Sequence, residues 1–491
     1  MRSCMTLLAL LALLALPGMG CGVPLRGGPE SAPTPAVGAA VTHYDYTVRV
    51  DAELTEIDVT VCFDGVPAQS LSCLNPPAAV AFRRAEVRSP GRAPEPLERT
   101  GRQILVPPNL PAGACVGYVI NIRDATDASM FGGMRAPGGV MLNGTGWLWA
   151  PRPLADGATG TLHFELPPGV DAAVAFPREG DGYRLPPDTF QFLSHTVFGR
   201  FSRREVPVPG GVLDVVRLGG PLAVTDADLD TWLTGVGHSV SQISGRFPVE
   251  RALAVVIPVA RGDGVVFGNA GRGGGPSVML LVGAEATLDD LRGDWVPPHE
   301  FTHLAMPYVG RRDAWMSEGI ATYYQEVLRA RGGVQSPLEA WRALDAGFIS
   351  GRESGTGVTL DRESARMRVT YEFRRVYWAG TALAFLADIA LREEGSSLDA
   401  ALVALDTCCR VPQRVWRGRE VARVFDQQTG HPVYEALAEQ WLSETRFPDV
   451  ESRYEWLGLR RGEDGLLELV ADAPGAALRD SIMSPLTPMR R

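Results

Sequence analysis

The chain has 491 residues and a formal net charge of −10, and 45% of its residues are hydrophobic while 21% are charged. Because single hydrophobic cores stop growing at about 250–300 residues, this length predicts two or three folded units. The hydrophobic content excludes a largely disordered chain, and the acidic balance argues against nucleic acid as a partner.

The first 21 residues have the layout of an export signal. Arg2 supplies a positive charge, residues 7–16 form an apolar run, and small residues precede Cys21. We therefore expect a signal peptide at 1–21, a bacterial lipoprotein anchor on Cys21, and an exported protein of the cell envelope. Cleavage without lipidation is the alternative, because Gly18 stands where such signals usually carry leucine.

A flexible linker is expected at 22–41, where proline, glycine and serine are frequent. Later apolar runs are shorter than the roughly 20 residues that span a bilayer, so the lipid anchor is the expected membrane contact. We expect no other contact with the membrane.

Residues 42–205 predict an antiparallel β-sandwich. In 44–50 and 56–63, hydrophobic and polar residues alternate with a period of two, as in strands with one buried face. Cys62, Cys73 and Cys115 lie in this region, where an oxidising compartment would permit a disulfide. Their odd number leaves the pairing open.

A second domain is predicted at 206–395, where strands at 212–218 and 252–258 flank a helix at 226–243. We expect the glycine-rich segment 262–275 to be a mobile loop. The apolar strand 277–282 is interpreted either as a sheet edge or as a buried central strand. As an edge, Ser277, Val278 and Met279 would bind substrate by pairing with an extended peptide.

Helical patterns dominate the rest of the second domain, including 318–331 and 377–392. We expect a helical C-terminal region at 396–453 and a small β-containing appendage at 454–491. The adjacent Cys408 and Cys409 receive no assigned role.

The motif with the most specific chemistry is His299-Glu300-Phe-Thr-His303. Residues four apart lie on one face of a helix, so both imidazoles can reach a single Zn²⁺ while Glu300 projects beside the open coordination position. Pro297 and Pro298 suit the first turn of that helix. The alternative is a pair of core histidines on a buried helix face.

A third metal ligand is expected, since catalytic zinc sites commonly have three protein ligands and a water. Glu318 follows His303 after a gap of fourteen residues, and Gly319 beside it would permit close helix packing. An ordinary acidic residue near a helix N-terminus is the alternative for Glu318. Together with the two histidines, Glu318 completes a predicted zinc site.

These residues resemble those of the gluzincin zinc metallopeptidases. The H-E-x-x-H motif followed by Trp315-x-x-Glu318-Gly319 is similar to the pattern of the glycyl aminopeptidase family and its leukotriene-hydrolase-like relatives. Residues 376–380 are similar to the V-Y-x-K-G stretch of those enzymes, which places the oxyanion-stabilising role on Tyr377.

The resemblance implies an N-terminal β-sandwich, a thermolysin-like α+β zinc peptidase domain and a mostly helical C-terminal part. It also implies a Zn²⁺ cofactor, a peptide or protein substrate, and hydrolysis with Glu300 as general base. A catalytically degenerate lipoprotein of the same fold, acting as a binding module, is the competing interpretation.

Two features depart from the family pattern. The gap between His303 and Glu318 is shorter than in the leukotriene-hydrolase-like branch. The G-x-M-E-N element, whose glutamate holds the amino end of a substrate, has no counterpart, because residues 268–272 read Gly-Asn-Ala-Gly-Arg. Aminopeptidase activity is therefore not supported by the sequence, and the choice between internal and terminal cleavage stays open.

Overall fold

The computed structural model describes residues 42–154, 157–409 and 414–486. The predicted signal peptide, the whole of the predicted linker and the predicted lipidation site at Cys21 lie outside these residues. Within the described ranges, no helix is long and apolar enough to cross a membrane.

Three β-sheets form the N-terminal region. Its strands are β1 (His43–Val50), β2 (Glu56–Asp64), β3 (Ser70–Ser72), β4 (Phe82–Arg88), β5 (Glu95–Leu97), β6 (Arg99–Thr100), β7 (Gln103–Leu105), β8 (Cys115–Asn121), β9 (Gly133–Ala136), β10 (Gly139–Asn143), β11 (Ala150–Arg152), β12 (Thr159–Glu165), β13 (Asp171–Val174), β14 (Arg178–Glu179), β15 (Gly182–Arg184) and β16 (His195–Gly199). The largest sheet has the order β14-β15-β12-β1-β2-β8-β4-β5. The other two have the orders β13-β16-β10-β9 and β11-β3-β7-β6.

The strands of these sheets pair antiparallel, except that β1 and β12 run parallel. In β1, Tyr44, Tyr46 and Val48 are buried between the sheets while the residues between them face outward, as the period of two predicted. Cys62 and Cys115 oppose each other on β2 and β8 and form a disulfide.

The second region begins with a five-stranded sheet of order β17-β18-β19-β21-β20. Its strands are β17 (Ser202–Val208), β18 (Gly211–Arg217), β19 (Arg251–Val259), β20 (Val265–Gly271) and β21 (Ser277–Gly283). Strand β17 begins at Ser202, a few residues before the end of the predicted N-terminal domain at 205. The three inner strands run parallel, and both edge strands are antiparallel to their neighbours.

The prediction of a mobile loop at 262–275 is wrong, because β20 lies within it and forms the edge of the sheet. Its glycines are required by close contacts. A Cβ on Gly268 would lie 2.5 Å from Glu300 Cγ, and one on Gly271 would lie 2.7 Å from Ser277 Oγ. Glycine here allows close packing of an ordered strand.

The interpretation of Ser277, Val278 and Met279 as an edge that binds substrate is also wrong. Strand β21 pairs with β19 on one side and β20 on the other, so no backbone edge is free. All three residues are buried. Of the two alternatives, the buried inner strand is therefore the correct one. The edge available to a peptide belongs to β20.

Helices form most of the remaining structure, which confirms the predicted fold class of a strand-rich N-terminal region followed by a largely helical part. The helices are α1 (Ile122–Ala128), α2 (Gly144–Trp147), α3 (Asp226–Val240), α4 (Leu288–Gly293), α5 (Val296–Thr302), α6 (Ala314–Arg331), α7 (Pro337–Arg352), α8 (Leu360–Thr370), α9 (Phe373–Glu393), α10 (Leu398–Cys408), α11 (Gly418–Thr429), α12 (Tyr434–Leu442), α13 (Tyr454–Leu457) and α14 (Ala476–Met483). A two-stranded hairpin, β22 (Leu459–Arg461) and β23 (Leu467–Leu469), lies in the predicted appendage. Cys408 and Cys409 form a disulfide at the end of α10.

Candidate metal centre

The H-E-x-x-H motif lies on the short helix α5 and its C-terminal end. Pro297 and Pro298 occupy the first turn, where the missing N–H groups cost nothing. Asp294 accepts the backbone N–H of Val296 at 2.8 Å and that of Val265 at 2.8 Å. Burial raises the pKa of the Asp294 carboxyl to about 6. Asp294 thus joins the start of α5 to the edge strand β20.

His299, His303 and Glu318 meet at one point between α5 and α6. The Nε2 atoms of the two histidines lie 3.3 and 3.5 Å from Glu318 Oε2, and the candidate ligand atoms all lie within 4.8 Å of one another. It is the one group of this kind found among the described residues. Two imidazoles and a carboxylate form a ligand set that suits Zn²⁺ and leaves a fourth position for water.

Charge in this cluster is balanced between the carboxylate and the imidazoles. Burial raises the pKa of the Glu318 carboxyl, but His303 and His299 outweigh that effect and hold the pKa well below its ordinary value. Burial alone would lower the pKa of His299, but the hydrogen bond to Glu318 raises it by more. The pKa of His299 therefore lies above its ordinary value. Glu318 is therefore an anion that attracts positive charge into the cluster.

A contact that the sequence reasoning missed orients His299. Gln325 Oε1 lies 3.0 Å from His299 Nδ1, and Gln325 Nε2 donates to Glu326 Oε1 at 3.0 Å. Because the amide nitrogen is engaged by Glu326, its oxygen must accept the Nδ1–H of His299. In the neutral imidazole, Nε2 of His299 then carries the lone pair that a metal would bind. Gln325 follows Glu318 by seven residues, two helical turns along the same face, and this spacing is the signal that could have found it.

The helix crossing of α6 and α9 brings Tyr377 to Glu318. Gly319 and Gly380 face each other at the crossing, and a Cβ on Gly319 would lie 2.5 Å from Gly380 Cα. Thr381 Oγ1 also donates to the carbonyl oxygen of Gly319 at 3.3 Å. Gly319 thus permits close packing, as predicted, although its partner is α9.

Tyr377 lies beside the metal ligands. Its ring stacks on His299 with 6.0 Å between centroids and 8° between planes, and its hydroxyl lies near the Glu318 carboxylate. Burial raises the pKa of Tyr377 well above its ordinary value, with Glu318 acting in the same direction. The hydroxyl therefore stays protonated and can donate a hydrogen bond.

Glu300 projects between the metal ligands and the edge strand. Its carboxylate lies near the backbone of Ala270, and Gly268 leaves room for its side chain. Burial raises the pKa of Glu300, while His303 and His299 act in the opposite direction. The result is a carboxyl group held against β20 whose pKa lies above its ordinary value.

A second buried histidine, to which sequence reasoning gave no role, joins the two regions of the chain. His195 on β16 lies with its Nδ1 2.9 Å from Ser277 Oγ, and it also hydrogen-bonds Asn269. Burial lowers the pKa of His195 to about 4. Ser277, predicted to bind substrate, instead anchors the sheet to the N-terminal region.

Comparison with known proteins shows which fold holds this cluster. Neither a protein-family model nor a curated protein matches the chain in sequence. Among solved structures, it is similar to an aminopeptidase N family protein from Idiomarina loihiensis, with a TM-score of 0.65 and 16% identity over 88% of this chain and 82% of that one. The fold is that of the M1 zinc metallopeptidases.

Two further M1 zinc metallopeptidase structures support this assignment of the fold. One, from Deinococcus radiodurans, has a TM-score of 0.52 and 17% identity over 83% of this chain and 96% of that one. The other, a two-domain variant bound to L-arginine, has a TM-score of 0.53 and 16% identity over 84% and 95%. The resemblance to zinc metallopeptidases that the motifs indicated is confirmed at the level of the fold.

Proposed function

We propose that this protein is a zinc-dependent peptidase that hydrolyses peptide bonds, with Glu300 as general base. The observation that carries the proposal is the meeting of His299, His303 and Glu318 at one point beside the Glu300 carboxylate. A bound zinc ion would supply Lewis acidity, acidifying a coordinated water and polarising a carbonyl group.

In the proposed mechanism, Glu300 would take a proton from the attacking water. The backbone of Ala270 lies near its carboxylate, and the close approach of Gly268 keeps the side chain against the strand. A general base works best when its pKa is near the working pH, and burial moves the pKa of Glu300 in that direction. In the mechanism, Glu300 would later return the proton to the leaving amine.

In the proposed mechanism, Tyr377 would stabilise negative charge on the carbonyl oxygen of the substrate. Its hydroxyl is protonated, and the Glu318 carboxylate is close enough to raise its pKa, so Tyr377 lies beside the cluster. A single donor of this kind is worth about 2.7–4 kcal/mol in the transition state of acyl transfer.

The edge strand β20 is the natural partner for the substrate backbone. An extended peptide can add to a free antiparallel edge, and β20 is the edge strand beside Glu300. Glu318 and Glu300 are carboxylates near Tyr377, and both are engaged in the proposed chemistry. We propose cleavage of internal bonds, which mass spectrometry of the products of an N-acetylated peptide would reveal.

The proposal is tested by the substitution Glu300→Gln. We expect the variant to bind zinc as the wild type does and to lose on the order of 10²–10⁴-fold in kcat, the usual contribution of a general base. Glu439→Gln, an exposed glutamate on α12, is the matched control and should keep full activity. A Glu300→Gln variant that cleaves peptides at the wild-type rate would refute the assignment.

The alternative is a degenerate peptidase that binds its partner without cleaving it. A binding protein needs no base beside the metal ligands, so the placement of Glu300 favours the enzyme. A zinc-loaded wild type that leaves every member of a random peptide library intact would favour the binding module.

We also propose export to the cell envelope with a lipid on Cys21. The disulfide between Cys62 and Cys115 supports an oxidising compartment. Metabolic labelling with a radioactive fatty acid should mark the wild type and leave Cys21→Ser unlabelled. Equal labelling of both would contradict the anchor.

A further inference from the structure

One exposed arginine lies where the N-terminal region meets the edge strand of the catalytic sheet. Arg368 is in the last turn of α8, and its guanidinium carbon lies 6.0 Å from the centroid of the Phe131 ring. Phe131 belongs to the N-terminal region, between α1 and β9, and is 39% exposed. The contact therefore joins two parts of the molecule that are far apart in sequence.

Phe131 in turn contacts β20. Its ring centroid lies 6.2 Å from that of Phe267, in an edge-to-face arrangement. The backbone of Phe131 is held in place, because its carbonyl oxygen accepts hydrogen bonds from the side chains of Asn75 and Asn143 at 3.2 and 3.1 Å. Arg368, Phe131 and Phe267 thus form one fixed surface, the Arg368 surface.

The Arg368 surface begins next to the catalytic centre. Phe267 precedes Gly268, the residue that packs against Glu300, and the backbone of Ala270 lies near the Glu300 carboxylate. At about 3.3 Å per residue of strand, Phe267 lies within roughly 10 Å of that contact. The charge of Arg368 also acts to lower the pKa of Tyr377, which places Arg368 near the centre.

The guanidinium of Arg368 has no hydrogen bond or ion pair with another residue in the described parts of the chain. An arginine that lies over an aromatic ring uses the face of its guanidinium, so the N–H groups in its plane stay available. Those N–H groups match the two oxygens of a carboxylate. Glu318 and Glu300 are engaged at the centre, so Arg368 offers a positive charge to a substrate beside the edge strand.

We propose that Arg368 binds a carboxylate of the substrate within a few residues of the scissile bond. That carboxylate is either the side chain of an acidic residue or a free C-terminal carboxyl group. The rings of Phe131 and Phe267 would cover the aliphatic part of the same substrate residue. This inference rests on the proposed peptidase function and adds a substrate class to it.

The test compares N-acetylated peptides that share one scissile bond. The first is uncharged and C-terminally amidated. A second series is amidated and carries one glutamate at each of the three positions on either side of the bond. A third series has no charged side chains but ends in a free carboxyl group one, two or three residues after the bond. The position and series with the highest kcat/KM identify which source of carboxylate Arg368 takes.

We expect at least one carboxylate peptide to exceed the uncharged peptide on the order of 10- to 100-fold in kcat/KM, the usual range for a hydrogen bond to a charged group. Arg368→Ala should bring that ratio close to one, and Arg368→Glu should favour lysine in place of glutamate. Arg366→Ala, an exposed arginine on the same helix, should keep the wild-type ratio.

A ratio near one in the wild type, or a preference that survives Arg368→Ala, would overturn the inference while leaving the peptidase intact. If the wild type cleaves none of the peptides, the proposed function fails. Calorimetric binding of the same peptides to the zinc-loaded wild type and to Arg368→Ala then decides the inference: weaker binding of carboxylate peptides to the variant supports it, and equal binding overturns it.

Discussion

Gln325 Oε1 accepts the Nδ1–H of His299 at 3.0 Å, and this contact directs the other ring nitrogen of His299 toward Glu318. Glu326 fixes the orientation of the Gln325 amide and is itself held by Arg329 at 2.9 Å. A single helix, α6, thus carries both a candidate metal ligand and the side chain that orients another. The geometry of the centre depends on α6 as much as on the motif helix.

Removal of this support should weaken metal binding. We expect Gln325→Ala to raise the dissociation constant for zinc by about 10–100-fold, the usual cost of losing a residue that orients a ligand. Competition with a zinc chelator measures it. Gln440→Ala, an exposed glutamine on α12, is the control and should bind zinc as the wild type does. Equal affinities for all three proteins would show that Gln325 does not orient His299.

The hydroxyl of Tyr377 should matter for the rate and little for the metal. We expect Tyr377→Phe to retain zinc and to lose about 10²–10³-fold in kcat, because a donor to the oxyanion is removed while the ring still stacks on His299. Tyr371→Phe removes a hydroxyl from an exposed side chain and serves as the control. Unchanged kcat in Tyr377→Phe would remove this residue from the mechanism.

The crossing of α6 and α9 should not tolerate a methyl group. A Cβ on Gly380 would meet the carbonyl oxygen of Trp315 and lie 2.9 Å from Gly319 Cα. We expect Gly380→Ala to lower the free energy of unfolding by about 1–3 kcal/mol, as overpacking usually does. The midpoint of urea unfolding measures this change.

Gly235, which has no close neighbours, provides a comparison for Gly380. A Cβ on Gly235 in α3 meets nothing within 4 Å, so Gly235→Ala should raise the free energy of unfolding by about 0.5–1 kcal/mol through helix propensity. If both alanine variants change stability in the same direction, close packing at the crossing is not the reason for Gly380.

The junction at His195 should weaken in acid. Burial lowers the pKa of His195 to about 4 from an ordinary value of 6.5, so the unfolded chain binds this proton more readily than the folded one. Stability is therefore full above pH 6.5 and falls as the pH drops toward 4. At 1.36 kcal/mol per pH unit, the loss is up to about 3 kcal/mol.

The comparison of urea midpoints between pH 7.5 and 4.5 isolates this effect. The wild type should lose more stability over that range than His195→Gln, which cannot take up the proton. His238→Gln, an exposed histidine on α3, should behave as the wild type does. Parallel pH curves for wild type and His195→Gln would mean that protonation of His195 does not loosen the junction.

The metal centre could be predicted from residue spacing because its candidate ligands lie close together in the sequence. His299 and His303 are one turn apart, and Glu318 has the neighbours expected of a third ligand, so three residues could be named without a structure. The parallel pairing of β1 with β12 could not be predicted, because the two strands are more than a hundred residues apart and no local pattern specifies their pairing.

The glycine content of residues 262–275 led to a wrong prediction at the edge of the sheet. The glycines of 262–275 were read as a sign of mobility, whereas Gly268 and Gly271 are needed for close contact with Glu300 and Ser277. The run at 277–282 is apolar on both faces, a pattern that fits a central strand and carries no information about a free edge. The free edge was therefore assigned to β21, although it belongs to the neighbouring strand β20.

The central claim is that His299, His303 and Glu318 hold one zinc ion. The most direct measurement is the anomalous difference map of zinc-soaked crystals of the full chain. We predict one peak at about 2.0–2.2 Å from Nε2 of each histidine and from a Glu318 carboxylate oxygen. A map with no peak between these three side chains, at saturating zinc, would contradict the account.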